Sequence, residues 1–272
     1  MSDAVNSEAT NTEATHDEST VRIVGAGRGG AFVITCDHAS HYIPPHYQGL
    51  GLADADLLRH IAWDIGALAL SEHLAEALDA PLLHPTISRL LLDVNRHPDA
   101  HDSIPATSEN TTIPGNTSLD AEERRRRRNR IYAPYHDAIA EMIAKRREQQ
   151  RPTAVIAIHS FTPVYRDHAR PWKIGVLSHR DRRMADPLLA ALRASDASLD
   201  IGDNEPYAPE NGVYHTLDRH AEAHGLPCVM IEVRNDLISE PSDQRAWADR
   251  LAPLLVRAFQ DATAGQEATV RS

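Results

Sequence analysis

The feature that most constrains the fold is a set of four apolar runs that each end in ionisable or hydrogen-bonding side chains. The first, residues 33–36, is long enough for a buried strand and leads into Asp37, His38 and His41. Pro44 then closes the stretch, because proline lacks the N–H that a strand ladder needs. The others are residues 90–94 before Asn95 and Arg96, 153–158 before His159, and 227–231 before Glu232. The carboxyl ends of strands line the ligand-binding crevice of α/β proteins, so these side chains are expected to converge.

The apolar runs alternate with segments of helical periodicity, which indicates an α/β fold with a mixed, mostly parallel sheet flanked by helices. The predicted strands are residues 21–24, 31–36, 81–84, 90–94, 153–158, 174–177 and 227–231. The predicted helices are residues 57–80, 122–148, 186–194, 214–224 and 242–259. Asp54 or Asp56 is the expected cap of the first helix. Residues 25–30 are rich in glycine, but a dinucleotide-binding loop must open a helix, so we interpret them as a hairpin turn between two strands.

Length and composition divide the chain into one domain and two tails. Residues 1–20 are acidic and contain no Lys or Arg, which predicts a disordered tail. Residues 21–260 suit a single α/β domain, and 261–272 are expected to form a loose C-terminal tail. We find neither a run of about 18 apolar residues nor a secretory signal. Cys36 and Cys228, both in predicted strands, indicate reduced, buried thiols and a cytoplasmic protein.

The charge of the chain argues against one large class of partners. A formal net charge of −11 is unfavourable for nonspecific nucleic-acid binding. The basic run 124–128 follows acidic residues inside a predicted helix, so we interpret it as a solvated helix face, with an RNA contact as the alternative. Residues 101–119 have no periodic pattern, and a loop of this length in a compact domain is usually functional or disordered.

The polar residues after the apolar runs suit a division of labour around a metal ion. Histidines bind metals, a glutamate can activate water, and arginines can hold an anionic group. Imidazoles without neighbouring thiolates favour Zn²⁺, and a catalytic zinc site needs only three protein ligands and one open position. For each residue alone, the alternative is a structural ion pair, because a buried charge needs a partner.

Six sequence blocks add a resemblance to these arguments. They are CDHAS (36–40), LGL (50–52), IAWDIG (61–66), RLLLDVNR (89–96), IHSFTP (158–163) and IEVRND (231–236). In this order they resemble the N-formylglutamate amidohydrolase family, and the resemblance covers residues 33–259. It implies a fold like that of zinc-dependent exopeptidases and a catalytic role for the 21–260 domain.

The resemblance implies metal ligands and a catalytic residue. His159 and Glu232 look like the third metal ligand and the catalytic glutamate of metallocarboxypeptidases. His38 and His159 are therefore expected to bind zinc, one ion per chain. The remaining ligand is either His41 or a carboxylate such as Asp64, which is otherwise grouped with the substrate-binding residues. Glu232 is expected to act first as general base and then as general acid.

The resemblance also implies residues that bind substrate. Asn95 and Arg96 resemble the pair that grips a substrate carboxylate in metallocarboxypeptidases. With Arg89 they are expected to hold the substrate carboxylates, since guanidinium presents a planar fork that matches a carboxylate. The alternative for Arg96 is a structural ion pair with Asp93 or Asp99.

These expectations combine into one functional hypothesis with rivals. The resemblance implies a zinc-dependent amidohydrolase that converts N-formyl-L-glutamate and water into L-glutamate and formate, as in histidine degradation. The expected partner is a small N-acyl amino acid, with no nucleic acid or membrane, and the protein is expected to be a monomer or small homo-oligomer. One alternative is an N-acyl amino-acid deacylase or small-peptide metallocarboxypeptidase. Another, from a different class, is a non-catalytic metal- or ligand-binding protein on the same fold.

Overall fold

A seven-stranded mixed sheet organises the protein, whose computed structural model describes residues 19–270. The strands are β1 (Val21–Val24), β2 (Phe32–Thr35), β3 (Leu82–Pro85), β4 (Thr107–Ser108), β5 (Thr111–Thr112), β6 (Ala154–Phe161), β7 (Val164–Tyr165), β8 (His168–Ala169), β9 (Ile174–Leu177), β10 (Ile201–Asp203) and β11 (Cys228–Arg234). The sheet order is β1-β3-β2-β6-β11-β9-β10, and β4-β5 and β7-β8 form separate hairpins. Strands β3, β2, β6 and β11 are parallel, whereas β1 and β9 run antiparallel to them. The predicted mixed, mostly parallel sheet is confirmed.

Helices cover both faces of this sheet. They are α1 (Asp54–Leu57), α2 (Ala67–Ala77), α3 (Ala121–Arg127), α4 (Ala133–Glu148), α5 (Ala185–Ser195), α6 (His215–His220) and α7 (Pro241–Val270). Ile156 and Ile158 of β6 pack in the core with α2, α5 and α7, whereas Val155 and Ala157 pack with α4 and α6. Burial on both faces explains why the central strands are continuous apolar runs. Within residues 19–270, none of the helices combines the length and apolarity needed to span a membrane.

The predicted hairpin between the first two strands was wrong, because β3 lies between β1 and β2. The glycine-rich connection instead passes beside the chain that follows α2. Gly30 N–H donates to the carbonyl oxygen of Asp79 at 2.8 Å. A Cβ on Gly30 would lie 2.0 Å from the carbonyl oxygen of Leu78. Close backbone approach is therefore what requires glycine at this position.

The predicted helix 57–80 is two helices separated by an irregular segment. Helix α1 ends at Leu57, and α2 begins at Ala67. Gly66 precedes α2 with φ at +80°, and a Cβ there would lie 2.2 Å from the carbonyl oxygen of Ile238. A glycine in the left-handed region breaks the helical run even though the apolar periodicity continues through it.

Two further local predictions were wrong. Residues 90–94 are buried, but they form turns and irregular chain instead of a strand. Their apolar side chains pack into the core beside α4, so burial alone accounts for the run. Neither Asp54 nor Asp56 caps a helix, since Ala53 occupies the position before α1 and no side chain bonds there.

The ends of several elements differ from prediction. Strand β6 continues to Phe161, so His159 lies inside the strand and not after it. Strand β11 likewise continues through Glu232 to Arg234. Helix α7 extends to Val270, so residues 261–270, expected to be a loose tail, are helical. The acidic tail predicted for residues 1–20 lies outside the described residues, apart from Ser19 and Thr20.

The segment 101–119 contains the β4-β5 hairpin and is anchored by an arginine of the basic run. Arg127, expected on a solvated face, is only 2% exposed. Its Nη1 donates to Asn116 Oδ1 at 2.7 Å and to the carbonyl oxygen of Leu91 at 3.2 Å, and its Nε donates to Glu123 Oε1 at 2.9 Å. Part of the basic run therefore has a structural role.

Candidate active site

Strands β6 and β11 carry His159 and Glu232 side by side. The strands are parallel, and these two residues are directly paired. Because side chains alternate along a strand, both project from the same face of the sheet. On the other side of β11, Glu232 pairs with Gly175 of β9, which has no side chain. A Cβ built on Gly175 would lie 2.1 Å from the carbonyl oxygen of Glu205. The segment around Glu205 therefore passes close to Glu232.

Two turns complete a buried cluster around His159. His38 follows β2, and Asp64 lies in the irregular segment before α2, where its N–H donates to the carbonyl oxygen of His38 at 2.9 Å. The Nδ1 atoms of His38 and His159 lie 3.2 and 2.8 Å from the same oxygen, Asp64 Oδ2. All three potential ligand atoms lie within 4.8 Å of one another. A single metal ion with ligand bonds of about 2.0–2.3 Å could therefore contact all three.

The second nitrogen of each imidazole contacts an outer carboxylate. His38 Nε2 lies 2.7 Å from Asp93 Oδ1, and His159 Nε2 lies 3.1 Å from Asp37 Oδ2. In metal sites the ligating histidine usually donates its other ring N–H to such a group, which fixes the tautomer and the ring orientation. Both Nδ1 atoms thus face Asp64, while the Nε2–H groups donate to Asp93 and Asp37 on the opposite side of the rings. This donor set fits a metal ion.

The outer carboxylates are themselves fixed by buried partners. Asp37 Oδ1 accepts hydrogen bonds from the Tyr135 hydroxyl at 2.5 Å and the Thr216 hydroxyl at 3.1 Å. Asp93 Oδ2 accepts one from Arg89 Nη2 at 2.5 Å. Helices α4 and α6 therefore support the side of the site at Asp37, and an arginine balances the charge of Asp93.

The buried cluster shifts the pKa values of its histidines and carboxylates in opposite directions. Burial alone lowers the pKa of His159, but its hydrogen bonds to Asp37 and Asp64 outweigh this and hold the pKa well above its usual value. Burial raises the pKa of Asp64, but the charge of His38 and the hydrogen bond from His159 bring it far below its usual range. The site thus accumulates positive charge between carboxylates, at the place where a metal cation would supply it.

Glu232 is buried beside this cluster and has an unused acceptor. It is 4% exposed, and its Oε2 has no hydrogen-bond partner among the described residues. Burial raises its pKa to about 7, an effect that the charge of His159 opposes and that of Asp64 reinforces. An unpaired buried carboxylate oxygen is costly. It can accept a proton from a molecule in the adjoining pocket.

The pocket has a volume of about 620 Å³, which suits a small-molecule ligand. It is lined by His38, Asp64, His159 and Glu232. The two small hairpins also contribute side chains, namely Thr107, Ser108, Glu109, Tyr165 and Arg166. The segment 101–119 therefore helps to form the pocket.

Arg96 lines the pocket, as the sequence predicted, but its structural partners are not the predicted ones. Its Nη1 donates to the carbonyl oxygen of Asn211 at 2.7 Å, and its Nε lies 3.3 Å from Asp102 Oδ2. The ion pair is thus with Asp102 and not with Asp93 or Asp99. Its side chain is 17% exposed, which leaves part of the guanidinium accessible.

Asn95 and Arg89 also line the pocket, and both make hydrogen bonds inside the protein. Asn95 Nδ2 donates to the carbonyl oxygen of Val213, and its Oδ1 accepts from the N–H of Thr216 at 2.9 Å. Arg89 Nη1 lies 3.5 Å from Asp64 Oδ1. Both residues therefore join the site to its supporting loops.

His41 is not brought to the cluster. It is exposed, and its ring stacks at a tilt on Trp63 with centroids 4.9 Å apart. Of the two alternatives for the remaining ligand, Asp64 is the one that the structure places beside His38 and His159. A tryptophan contact at the surface accounts for the position of His41.

Sequence reasoning assigned no role in the site to Asp37, Asp93, Arg170 or Tyr207. Asp37 and Asp93 lie inside the matching blocks, and their adjacency to His38 and Asn95 was a signal that could have suggested outer carboxylates. Arg170 and Tyr207 reach the pocket from loops outside those blocks, and no sequence pattern marked them.

Solved structures provide an independent comparison. The gene product Atu2144 from Agrobacterium tumefaciens is 44% identical over 89% of this chain and 95% of that chain, with a TM-score of 0.86. The N-formylglutamate amidohydrolase from Ralstonia eutropha JMP134 is 19% identical over 91% of this chain and 99% of that chain; its TM-score of 0.63 shows a shared fold. A metallo-carboxypeptidase from Burkholderia cenocepacia gives 13% identity over 90% of this chain and 66% of that chain, with a TM-score of 0.38. No curated protein matches the sequence.

The family comparison covers the whole site. A model of the N-formylglutamate amidohydrolase family matches residues 30–239, which is more than half of the chain. The matched range contains the buried cluster and its neighbouring carboxylate, His38, Asp64, His159 and Glu232. This chain therefore belongs to the N-formylglutamate amidohydrolase family.

Proposed function

We propose that this protein is a metal-dependent amidohydrolase that converts N-formyl-L-glutamate and water into L-glutamate and formate. The observation that carries the proposal is Glu232, a buried carboxylate whose Oε2 has no partner in the described part of the chain and which lies beside the cluster of His38, Asp64 and His159. A buried acceptor without a partner requires an explanation, and a catalytic role in accepting a proton from water is one that fits its position beside the cluster. Family membership supports the choice of amide and acyl group.

His38, Asp64 and His159 would together hold one zinc ion per chain. Two imidazoles and one carboxylate, without thiolates, form a ligand set known in catalytic zinc sites. When bound, zinc polarises the substrate carbonyl and lowers the pKa of water. Asp93 and Asp37 hold the two imidazoles in the orientation that exposes Nδ1 to the ion.

Glu232 is the proton carrier in this proposal. With a pKa raised to about 7 by burial, it is partly ionised near neutral pH and can both accept and return a proton. It takes a proton from the water that adds to the formyl carbon and passes it to the leaving nitrogen as the C–N bond breaks. Formate and the free amine are the products.

The arginines of the pocket bind the charged ends of the substrate. Arg96, with Asn95 beside it, presents part of its guanidinium to the pocket. Arg89 lines the same pocket, and its side chain is 26% exposed while its guanidinium balances the charges of Asp93 and Asp64. We place the reaction in the cytoplasm, which suits the free, buried cysteines Cys36 and Cys228.

The test measures formate released from N-formyl-L-glutamate by protein reconstituted with zinc, alongside Glu232→Gln. The variant keeps the size of the side chain but cannot accept a proton. We expect it to retain zinc while turnover falls by ~10²-fold or more, a typical general-base contribution.

N-acetyl-L-glutamate serves as the comparison substrate, because it differs only at the acyl group. Release of acetate at the same rate would indicate a general N-acyl amino-acid deacylase. No formate release from any N-formyl amino acid, with zinc bound, would refute the proposed function.

A further inference from the structure

Arg170 is held at the pocket by the base of the β7-β8 hairpin. Its backbone N–H donates to the carbonyl oxygen of Pro163 at 2.8 Å. Its own carbonyl oxygen accepts a hydrogen bond from Arg234 Nη1 at 3.4 Å. The backbone of Arg170 is thus tied to both the start of the hairpin and the end of β11, close to where Glu232 lies.

Aromatic rings fix the side chain of Arg170. Its guanidinium carbon lies 4.6 Å from the ring centroid of Tyr165, 4.7 Å from that of Tyr207 and 5.9 Å from that of Phe161. Its Nη1 donates to the Tyr207 hydroxyl at 3.0 Å. Cation–π contacts hold a guanidinium by its faces and leave the N–H edge available for hydrogen bonds. The rings therefore orient Arg170 without neutralising it.

Charge pairing distinguishes Arg170 from its neighbours in the pocket. Arg89 pairs with Asp64 and Asp93, and Arg96 pairs with Asp102. Within residues 19–270, Arg170 makes no ion pair with any carboxylate of the protein. A partly buried cation without a counter-charge is unfavourable, and an anionic ligand would relieve that cost.

Tyr207 connects Arg170 to the reacting end of the pocket. Both residues line the pocket together with Glu232, and Tyr207 follows the Glu205 segment that crosses beside Gly175. Burial raises the pKa of Tyr207 to about 12, and the charge of Glu232 adds to this. Its hydroxyl therefore stays protonated, and while it accepts a hydrogen bond from Arg170 it can donate one of its own next to the guanidinium.

We propose that Arg170 binds a carboxylate of the substrate and, together with Arg96, selects N-acyl amino acids that carry two carboxylates. Two guanidiniums held by separate loops match a ligand with two separated negative charges. The inference rests on the proposed function in taking the ligand to be an N-acyl amino acid. It assigns to Arg170 a role in specificity that its sequence position does not reveal.

Ligand binding tests this assignment without turnover. The Glu232→Gln protein, which leaves the ligand uncut, is titrated calorimetrically with N-formyl-L-glutamate and with its two monoamides, N-formyl-L-glutamine and N-formyl-L-isoglutamine. Adding Arg170→Gln to this protein should lower its affinity for N-formyl-L-glutamate by about 10-fold or more, as expected for the loss of a charged hydrogen bond. The affinity for one monoamide should fall by the same factor. The affinity for the other should not change, because the carboxylate that Arg170 would bind is already an amide in that ligand.

Two further variants control for general effects. Arg193→Gln removes the same charge from an exposed position near the end of α5, which does not line the pocket, and should weaken binding far less than Arg170→Gln does. Arg170→Lys keeps the charge without the planar fork and should give an intermediate loss. Thermal unfolding of each variant reports whether the hairpin change has damaged the fold.

The assignment is overturned if Arg170→Gln weakens all three ligands equally, which would indicate a structural effect. It is equally overturned if Arg193→Gln has the same effect, or if none of the three ligands binds. Formate release by the unmodified protein decides the proposed function separately. If the unmodified protein releases formate but Arg170→Gln does not change ligand affinity, the proposed function stands and the role of Arg170 is refuted.

Discussion

At the scale of single residues, the site depends on imidazoles that are held at both ring nitrogens. Asp64 accepts both Nδ1 contacts, while Asp93 and Asp37 take the Nε2 contacts of His38 and His159. A ring fixed in this way loses little freedom when it binds a metal, because its orientation is already set. The outer carboxylates should therefore contribute to metal affinity although they do not contact the ion.

Replacing one outer carboxylate tests this arrangement. Asp93→Asn keeps an acceptor for His38 Nε2 but removes the negative charge that strengthens the imidazole as a ligand. We expect zinc affinity to fall by about 10–100-fold, the usual effect of losing such a partner. Competition with a chromogenic chelator measures it. Asp99→Asn, an exposed residue near Asp93 that pairs with Arg128 at the surface, is the control. Equal affinity in both variants would contradict this account of Asp93.

Single residues of the site could be predicted from the sequence where a residue type suited to catalysis or metal binding stands at the end of an apolar run. His38, His159 and Glu232 could be predicted because each follows or ends an apolar run and belongs to a recognisable block. Arg170 could not, because its position depends on how a hairpin folds over the pocket and on aromatic partners from other segments. Such long-range packing leaves no periodic signal in a single sequence.

At the scale of elements, the geometry beside Glu232 depends on a strand residue without a side chain. Gly175 of β9 sits next to Glu232 in the sheet, and the Glu205 segment occupies the space that a Cβ would take. This segment leads directly into Tyr207, which lines the pocket. Glycine in a strand usually weakens it, but here it permits close backbone approach.

Gly175→Ala should therefore displace the segment that carries Tyr207. The new Cβ would lie 2.1 Å from the carbonyl oxygen of Glu205, so backbone must move. We expect about 1–3 kcal/mol of lost stability from overpacking and a fall in kcat/KM of up to ~10²-fold from misplaced pocket groups. Urea unfolding and formate release measure the two effects. Gly27→Ala, where a Cβ meets nothing within 4 Å, is the matched control. An unchanged kcat/KM in Gly175→Ala would separate this segment from function.

Elements could be predicted from sequence where burial and backbone hydrogen bonding agree. Strands β6 and β11 are apolar on both faces and lie in the middle of the sheet, so their runs predicted them correctly. Residues 90–94 are just as apolar, but they lie against α4 without a partner strand. The break at Gly66 escaped prediction because the side-chain pattern gives no sign of its left-handed backbone.

At the scale of the whole molecule, the helical layer of α4 and α6 supports the site through buried polar contacts. His136 of α4 donates from Nε2 to the carbonyl oxygen of Val94 at 2.9 Å and accepts at Nδ1 from His220 Nε2 of α6 at 2.7 Å. The adjacent residue of α4, Tyr135, donates to Asp37. A pair of neutral histidines thus joins two helices behind the metal-candidate cluster.

This pair should make the folded protein sensitive to acid. Burial, together with the charges of neighbouring basic groups, lowers the pKa of His136 to about 3 and that of His220 to about 4. In the unfolded chain both titrate near their ordinary value of about 6.5. Between the folded and unfolded pKa values, the unfolded state binds more protons than the folded state. The stability that this pair contributes is therefore fully present above pH 6.5 and is lost as the pH falls toward 4. The slope is about 1.4 kcal/mol per pH unit for each histidine.

The contribution of one histidine can be isolated by substitution. His220→Gln keeps an N–H that can donate to His136 but does not titrate. Between pH 7 and pH 5, the free energy of unfolding of His220→Gln should fall by about 1–2 kcal/mol less than that of the unmodified protein. Only the unmodified protein loses the stability that comes from keeping His220 neutral in the folded state. Urea unfolding at both pH values gives the difference, and the opposite titrations of His38 and His159 cancel in it. Parallel slopes for His220→Gln and the unmodified protein would mean that His220 takes up a proton in the folded state as readily as in the unfolded one.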